Sequence, residues 1–215
     1  MTSSADAAGS PFFPDDRSMY ERMLAGKPYL ANSPEVAALS TRAQLLTERY
    51  NTTSVTEGEL RHLLLVDLLG TVGEVIEIRP PFHVDYGAHL HIGERFFANF
   101  GFTALDCAEI RIGSDVQIAT NVQLLTATHP LEPGPRRDKW EGAAPITLGD
   151  NVWLGGGVIV GPGVTIGENT VVGAGSVVVK DLPANVVAVG TPARPVRGLP
   201  ADPAGGWDRS AVEEH

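Results

Sequence analysis

From Leu148 onward every sixth residue is aliphatic: Leu148, Leu154, Val160, Ile166, Val172 and Val178. The residue after each is Gly149, Gly155, Gly161, Gly167 and Gly173, until the run breaks at Val179. Three places after each aliphatic come Asn151, Gly157, Gly163, Asn169 and Gly175, residue types that tolerate a left-handed backbone. The same phase runs upstream through Ile112–Gly113, Ile118 and Leu124, with Asp115 and Asn121 at the turn position. A turn every six residues excludes helices and long strands from about residue 110 to 185. Very short parallel strands coiled about an axis, with the aliphatics stacked inside, satisfy the pattern. Each coil then needs a neighbour to cover its apolar face. The expected fold is an all-β solenoid, a parallel β-helix; an ordinary all-β domain with frequent turns has no reason to keep three positions in phase.

One stretch breaks the period. "TATHPLEPGPRRDKW", Thr126 to Trp140, is rich in proline and charge, and it predicts an extruded loop over about 126–145. Before the repeat, "SMYERMLAG", "NSPEVAALSTRAQLLTERYN" and "TEGELRHLLLVDLLG" read as helices. In the second, Asn32 or Ser33 can cap, Pro34 fits the first turn, and Val36, Leu39, Ala43, Leu46 and Tyr50 mark one face. In the third, Thr56 and Glu59 have capping-box spacing and Gly70 is the stop. The organisation expected is a disordered N-terminus over 1–15, an N-terminal α-helical cap over 16–72, the solenoid over 73–199, and a disordered tail over 200–215. The cap would cover the apolar end of the first coil.

A formal charge of −10 repels phosphate backbones and argues against nucleic acid as a partner. The first residues lack the basic start and apolar core of a secretion signal, and "LLLVDLLG" is too short to span a bilayer. With Cys107 as the only cysteine, no internal disulfide forms, and a cytoplasmic protein without membrane association is expected.

Six histidines are candidates for proton transfer. His62 falls in the helical cap and His215 on the tail, and His83, His89 and His91 read as structural or surface residues. His129 sits where the loop leaves the repeat, and functional residues gather on loops held by rigid scaffolds. From the residues alone a general base and a loop histidine that merely hydrogen-bonds are equally open. In "GGG", Gly157 belongs to the turn series, whereas Gly156 is unexplained by it and offers a backbone N–H free of side chain. Lys180, Arg194 and Arg197 gather near the end of the repeat, where they could hold phosphates or simply be solvated. Cys107 shows no activating neighbour and reads as a small buried residue.

In chain order, "ERMLAGKPY", "DYGAHLHIG", "FFANFGFTALD", "TATHPL", "NVWLGGG", "GAGSVVVKD" and "GTPARPVR" resemble the maltose and galactoside O-acetyltransferases, from about Met19 to Leu199. The resemblance implies a left-handed parallel β-helix, an exception to the usual crossover hand. It implies a homotrimer that moves acetyl from acetyl-CoA to a sugar hydroxyl, with sites between subunits and no metal. It makes His129 the base and Asn99 an acceptor contact, and places Asp85, Asp106 and Cys107 in acceptor-contact segments. Along coenzyme A it places Gly156, Ala174, Val179, Lys180, Arg194 and Arg197. The chain departs from the family pattern at Asn32 and Ser33 and in "EGAAP". Two other readings stay open: a metal hydratase of the gamma carbonic anhydrase type with His89, His91 and His129 as zinc ligands, and a non-catalytic trimeric scaffold. Serine or an antibiotic could also replace the sugar as acceptor.

Overall fold

The computed structural model describes residues 13–200. Strands stack in parallel on three faces, so that each coil visits the faces in turn. The first face carries Ile76–Ile78, Phe96–Ala98, Gln117–Ile118, Trp153–Leu154, Val171–Val172 and Val186–Gly190. The second carries Phe82–Val84, Phe102–Leu105, Gln123–Leu125, Ile159–Val160 and Val177–Val178, and the third Leu90–Ile92, Ile110–Ile112, Ile146–Leu148 and Thr165–Ile166. The six aliphatics from Leu148 to Val178 are all buried, as are Ile112, Ile118 and Leu124. Every expected turn position is left-handed, from Asp115 (φ 61°) and Asn121 (φ 58°) through Asn151 (φ 55°) to Gly175 (φ 71°). The glycines after the aliphatics, Gly161 apart, have another cause. A Cβ on Gly155 would stand 2.6 Å from the Ala174 nitrogen of the next coil.

The coils begin well before residue 110. Phe102 lies over Phe82 and Ile110 over Leu90, each twenty residues on, and Phe82 and Phe102 stack with centroids 5.5 Å apart. Ile146 lies over Ile110 because the loop intervenes, and Thr165 follows Thr147 after eighteen residues. The surplus residues all fall on one edge, between the second and third faces. Two extra residues at 85–89, two at 105–109 and the whole loop are stacked there, while the other two edges keep the six-residue beat.

Helices α1 (Met19–Leu24), α2 (Pro34–Asn51) and α3 (Gly58–Leu68) close the N-terminal end. Ser18 and Glu21 form a capping box on α1. On α2 the expected face turns inward, with Val36, Ala43 and Tyr50 buried and Leu39 and Leu46 half-buried. Asn51 completes the first coil as a missing strand would: its Nδ2 donates to Phe82 O (2.9 Å) and its Oδ1 accepts from Phe82 N (2.8 Å). The Thr56–Glu59 capping box does not form. α3 starts at Gly58 with Glu57 at its N-cap and no side-chain cap, and the Glu57 carboxylate accepts from Ser54 N at 2.6 Å in the preceding turn. The antiparallel hairpin of Val186–Gly190 and Ala193–Gly198 covers the opposite end.

The disorder expected over 1–15 and 200–215 falls mostly outside the described residues, as does His215. Phe13 and Asp15 are nevertheless packed against the fold, the former on Trp140. No helix among the described residues is long and apolar enough to cross a membrane.

Candidate functional site

The loop is rooted by a second small core rather than by the solenoid interior. Trp140–Ala143 pairs antiparallel with Ala127–Thr128 on one side and Tyr29–Leu30 on the other. Beneath it Met19, Met23, Tyr29, Val36, Tyr86, Cys107 and Trp140 pack together. Thr126 pins the exit, donating to Leu105 O (2.6 Å) and accepting from Ala108 N (3.0 Å). Beyond it the loop turns through α4 (Pro133–Arg137), and Leu131 is left 87% exposed. The charged tip is partly used within the loop itself, because Arg136 Nη1 donates to the carbonyls of Pro130 and Leu131.

His129 is exposed at the loop root, with Nδ1 3.2 Å from the carbonyl oxygen of Trp140. A carbonyl only accepts, so Nδ1 carries the proton and Nε2 presents its lone pair. That is the arrangement a general base requires. His89 differs. It is buried, its Nδ1 donates to Asp106 O (2.7 Å), and its Nε2 accepts from the Tyr20 hydroxyl (3.3 Å). Neither ring nitrogen is left for a metal. His91 faces Thr71 and, at 3.9 Å, Glu109. Among the described residues no group of three His, Cys, Asp or Glu side chains could hold a metal ion.

Asp85, Asp106 and Cys107 share the loop-bearing edge with His129, but in different roles. Asp106 has no exposure, and its carboxylate accepts from the backbone N–H of Asp85 (3.1 Å), Tyr86 (2.8 Å) and His89 (3.1 Å). Its carboxylate holds the 85–89 corner together through those three amides. Cys107 is likewise enclosed; its thiol donates to Asp85 Oδ2 (3.2 Å), and burial with the neighbouring Asp85 pushes its pKa well up. Asp85 is half-buried, with its carboxyl raised chiefly by burial and further by Asp106 and Glu141, against which the Cys107 hydrogen bond acts. Glu141, half-buried and bonded by the Tyr29 hydroxyl at 3.0 Å, joins this group, and sequence reasoning missed it. Its place opposite Tyr29 is visible only once the loop's pairing with Tyr29–Leu30 is known.

The remaining candidates lie elsewhere. Asn99, Gly156 and Ala174 stack on the edge between the first and second faces. Asn99 Oδ1 accepts from the adjacent Phe100 N (2.8 Å). Gly156 lacks a left-handed φ, and a Cβ there would sit 3.3 Å from Thr120 Oγ1, so the backbone alone does not demand glycine. Val179 and Lys180 lie on the loop-bearing edge, and Arg194 and Arg197 on the terminal hairpin, all exposed. The three cations make no ion pair among the described residues. One side of a six-residue beat spans roughly 20 Å. The chain therefore puts His129 and Asn99 on separate edges of one prism.

Residues 22–73 match the maltose acetyltransferase hexapeptide capping motif, and residues 145–180 match the bacterial transferase hexapeptide of six repeats. The galactoside O-acetyltransferase of Escherichia coli (strain K12) is 41% identical over 181 residues, covering 84% of this chain and 89% of that protein. The crystal structure of a maltose O-acetyltransferase from Clostridium difficile 630 superposes with a TM-score of 0.86 at 43% identity, over 87% of this chain and all of that one. A galactoside acetyltransferase in complex with coenzyme A superposes at 0.83 with 40% identity, over 86% and 92% of the two chains.

Proposed function

As the chain belongs to the maltose and galactoside O-acetyltransferase family, and is thereby an acetyl-CoA-dependent O-acetyltransferase, we propose that it acetylates a sugar hydroxyl with His129 as general base. The observation that carries this reading is the Nδ1–H···O=C bond to Trp140, which reserves Nε2 for the acceptor proton. The hydroxyl oxygen attacks the thioester carbonyl carbon while Nε2 takes the hydroxyl proton. The oxyanion forms within reach of the Gly156 N–H. The carbon–sulfur bond then breaks, and the imidazolium returns the proton to the thiolate of coenzyme A. An acceptor screen with acetyl-CoA, following thiol release, tests the reading; thiol release with amines but with no sugar would overturn it.

The separation of His129 from Asn99 and Gly156 supports a site shared between subunits. The exposed Leu131 supports a loop that leaves its own prism for a neighbour. We expect a homotrimer, and light scattering should give the mass of three chains rather than the 22.8 kDa of one. An active species of single-chain mass would refute this. The lone reduced thiol of Cys107 fits a cytoplasmic setting.

On the donor side, Lys180 and Arg194 make no ion pair among the described residues, and the Arg194 guanidinium donates only to the adjacent Ala193 carbonyl (2.8 Å). Reversing both, as Lys180→Glu with Arg194→Glu, should raise the apparent KM for acetyl-CoA by roughly tenfold or more, since hydrogen bonds to charged groups contribute about 1.5–3 kcal/mol. The acceptor KM should stay within about twofold by the same reasoning. An unchanged acetyl-CoA constant would place the donor phosphates elsewhere.

A further inference from the structure

Arg22 is fully buried and makes no ion pair among the described residues, although its charge acts on the Asp15 carboxylate that Arg17 holds. Its guanidinium spends its donors on three backbone carbonyls: Nε to Arg17 O (3.3 Å), Nη1 to Phe13 O (2.9 Å) and Nη2 to Asp15 O. A buried cation is tolerable only where such acceptors replace water, so the Phe13–Arg17 segment and Arg22 hold one another in place. The Arg17 guanidinium, on the Asp15 carboxylate at 2.7 Å, shapes the same segment. Arg22 also stands 5.8 Å from the centroid of the Trp140 ring, and Phe13 meets that ring edge-on at 5.2 Å. Trp140 is thus gripped by two residues from the far N-terminal part of the fold. The same tryptophan's carbonyl accepts the hydrogen bond from His129 Nδ1.

We propose that Arg22, through the Phe13–Arg17 segment and the Trp140 ring, is a positioning residue that fixes the tautomer of His129. The proposal rests on His129 being the base. An imidazole released from the Trp140 carbonyl is free to carry its proton on Nε2, and in that form it cannot accept the proton of the attacking hydroxyl. Arg22 touches neither substrate; it acts on the geometry of the group that does.

The test uses the full chain with Arg22→Met, Arg22→Lys and Phe13→Ala. Turnover is followed by thiol release with maltose and a galactoside as probe acceptors. Nitrogen-15 spectra of the imidazole rings, assigned with a His129→Asn variant, report the tautomer with no acceptor present. Arg22→Met should lower kcat by roughly 10- to 100-fold, the scale of a small misplacement of a reacting group, with the KM for acetyl-CoA within about twofold. The His129 nitrogen pattern should move from Nδ1-protonated toward a mixture. Arg22→Lys should fail to rescue, because an ammonium cannot serve three carbonyls in one plane. Phe13→Ala should show the same changes more weakly, and it decides the matter if Arg22→Met does not fold. Full kcat in folded Arg22→Met overturns the proposal, and so does lost turnover with the His129 pattern unchanged. Normal turnover in His129→Ala would remove the base while leaving the tautomer measurement standing, so the two failures are told apart.

Discussion

His129→Ala should cut turnover by roughly 10²–10⁴-fold, the usual worth of a positioned general base. Its melting temperature should hardly move. The side chain is exposed, makes one hydrogen bond and touches neither hydrophobic core, so no cavity and no buried orphan is created. Acetyl-CoA binding should survive, because the cations proposed to hold it are Lys180, Arg194 and Arg197. The same change at His89 should do the reverse. It removes the links to Asp106 and Tyr20 and should cost about 1–3 kcal/mol of stability, with turnover per folded enzyme largely kept. Kinetics and thermal melts of the two variants side by side check both. Near-normal turnover in folded His129→Ala would end its role as base.

Asp106→Ala should be among the most destabilising single changes in the chain. Three backbone N–H groups lose a charged acceptor at once, in a place water does not reach. At about 1–3 kcal/mol for each buried donor left unpaired, the total is about 3 kcal/mol or more, a large share of what holds a domain folded. Chemical denaturation should show it as a lower midpoint with an unchanged slope. Asp106 as an acceptor contact would give the opposite result, a raised acceptor KM in a protein of ordinary stability. The two readings differ in which instrument responds.

The six-residue period made the later coils legible because every coil after the loop is close to three equal sides. Upstream the same aliphatic series continues through Ile78, Val84, Ile92, Ala98 and Ala104, all buried, but the step from Val84 to Ile92 and from Ala104 to Ile112 is eight residues. A fixed-period reading loses phase at each step, so coils that are physically equivalent looked unlike. The helical cap was legible from its periodicity, and the capping box expected at Thr56 fails because α3 starts one residue later, with Glu57 at its N-cap. Motif position puts His129 at the root of the extruded loop, where the fold has it, but it does not tell a side chain that faces solvent on that edge from one that holds the corner together. Asp106 shows why: its role is set by backbone amides that only the folded corner brings together. Arg22 did leave a mark in the sequence, as a cation between Met19 and Met23 on the apolar stripe of α1, a place where a charge is tolerated only if something buried needs it.

The stacking of all surplus residues on one edge separates two kinds of constraint in this fold. A substitution on a six-residue edge has to fit the neighbouring coils above and below, as a Cβ on Gly155 would have to fit Ala174. The loop tip around α4 can change length without shifting the register of a strand, since the chain re-enters the prism at the same rung, whereas Asp106 and Thr126 tie the 85–89 and 105–109 corners in place. A protein engineer can therefore graft at that tip while the apparatus that stacks the coils is left untouched.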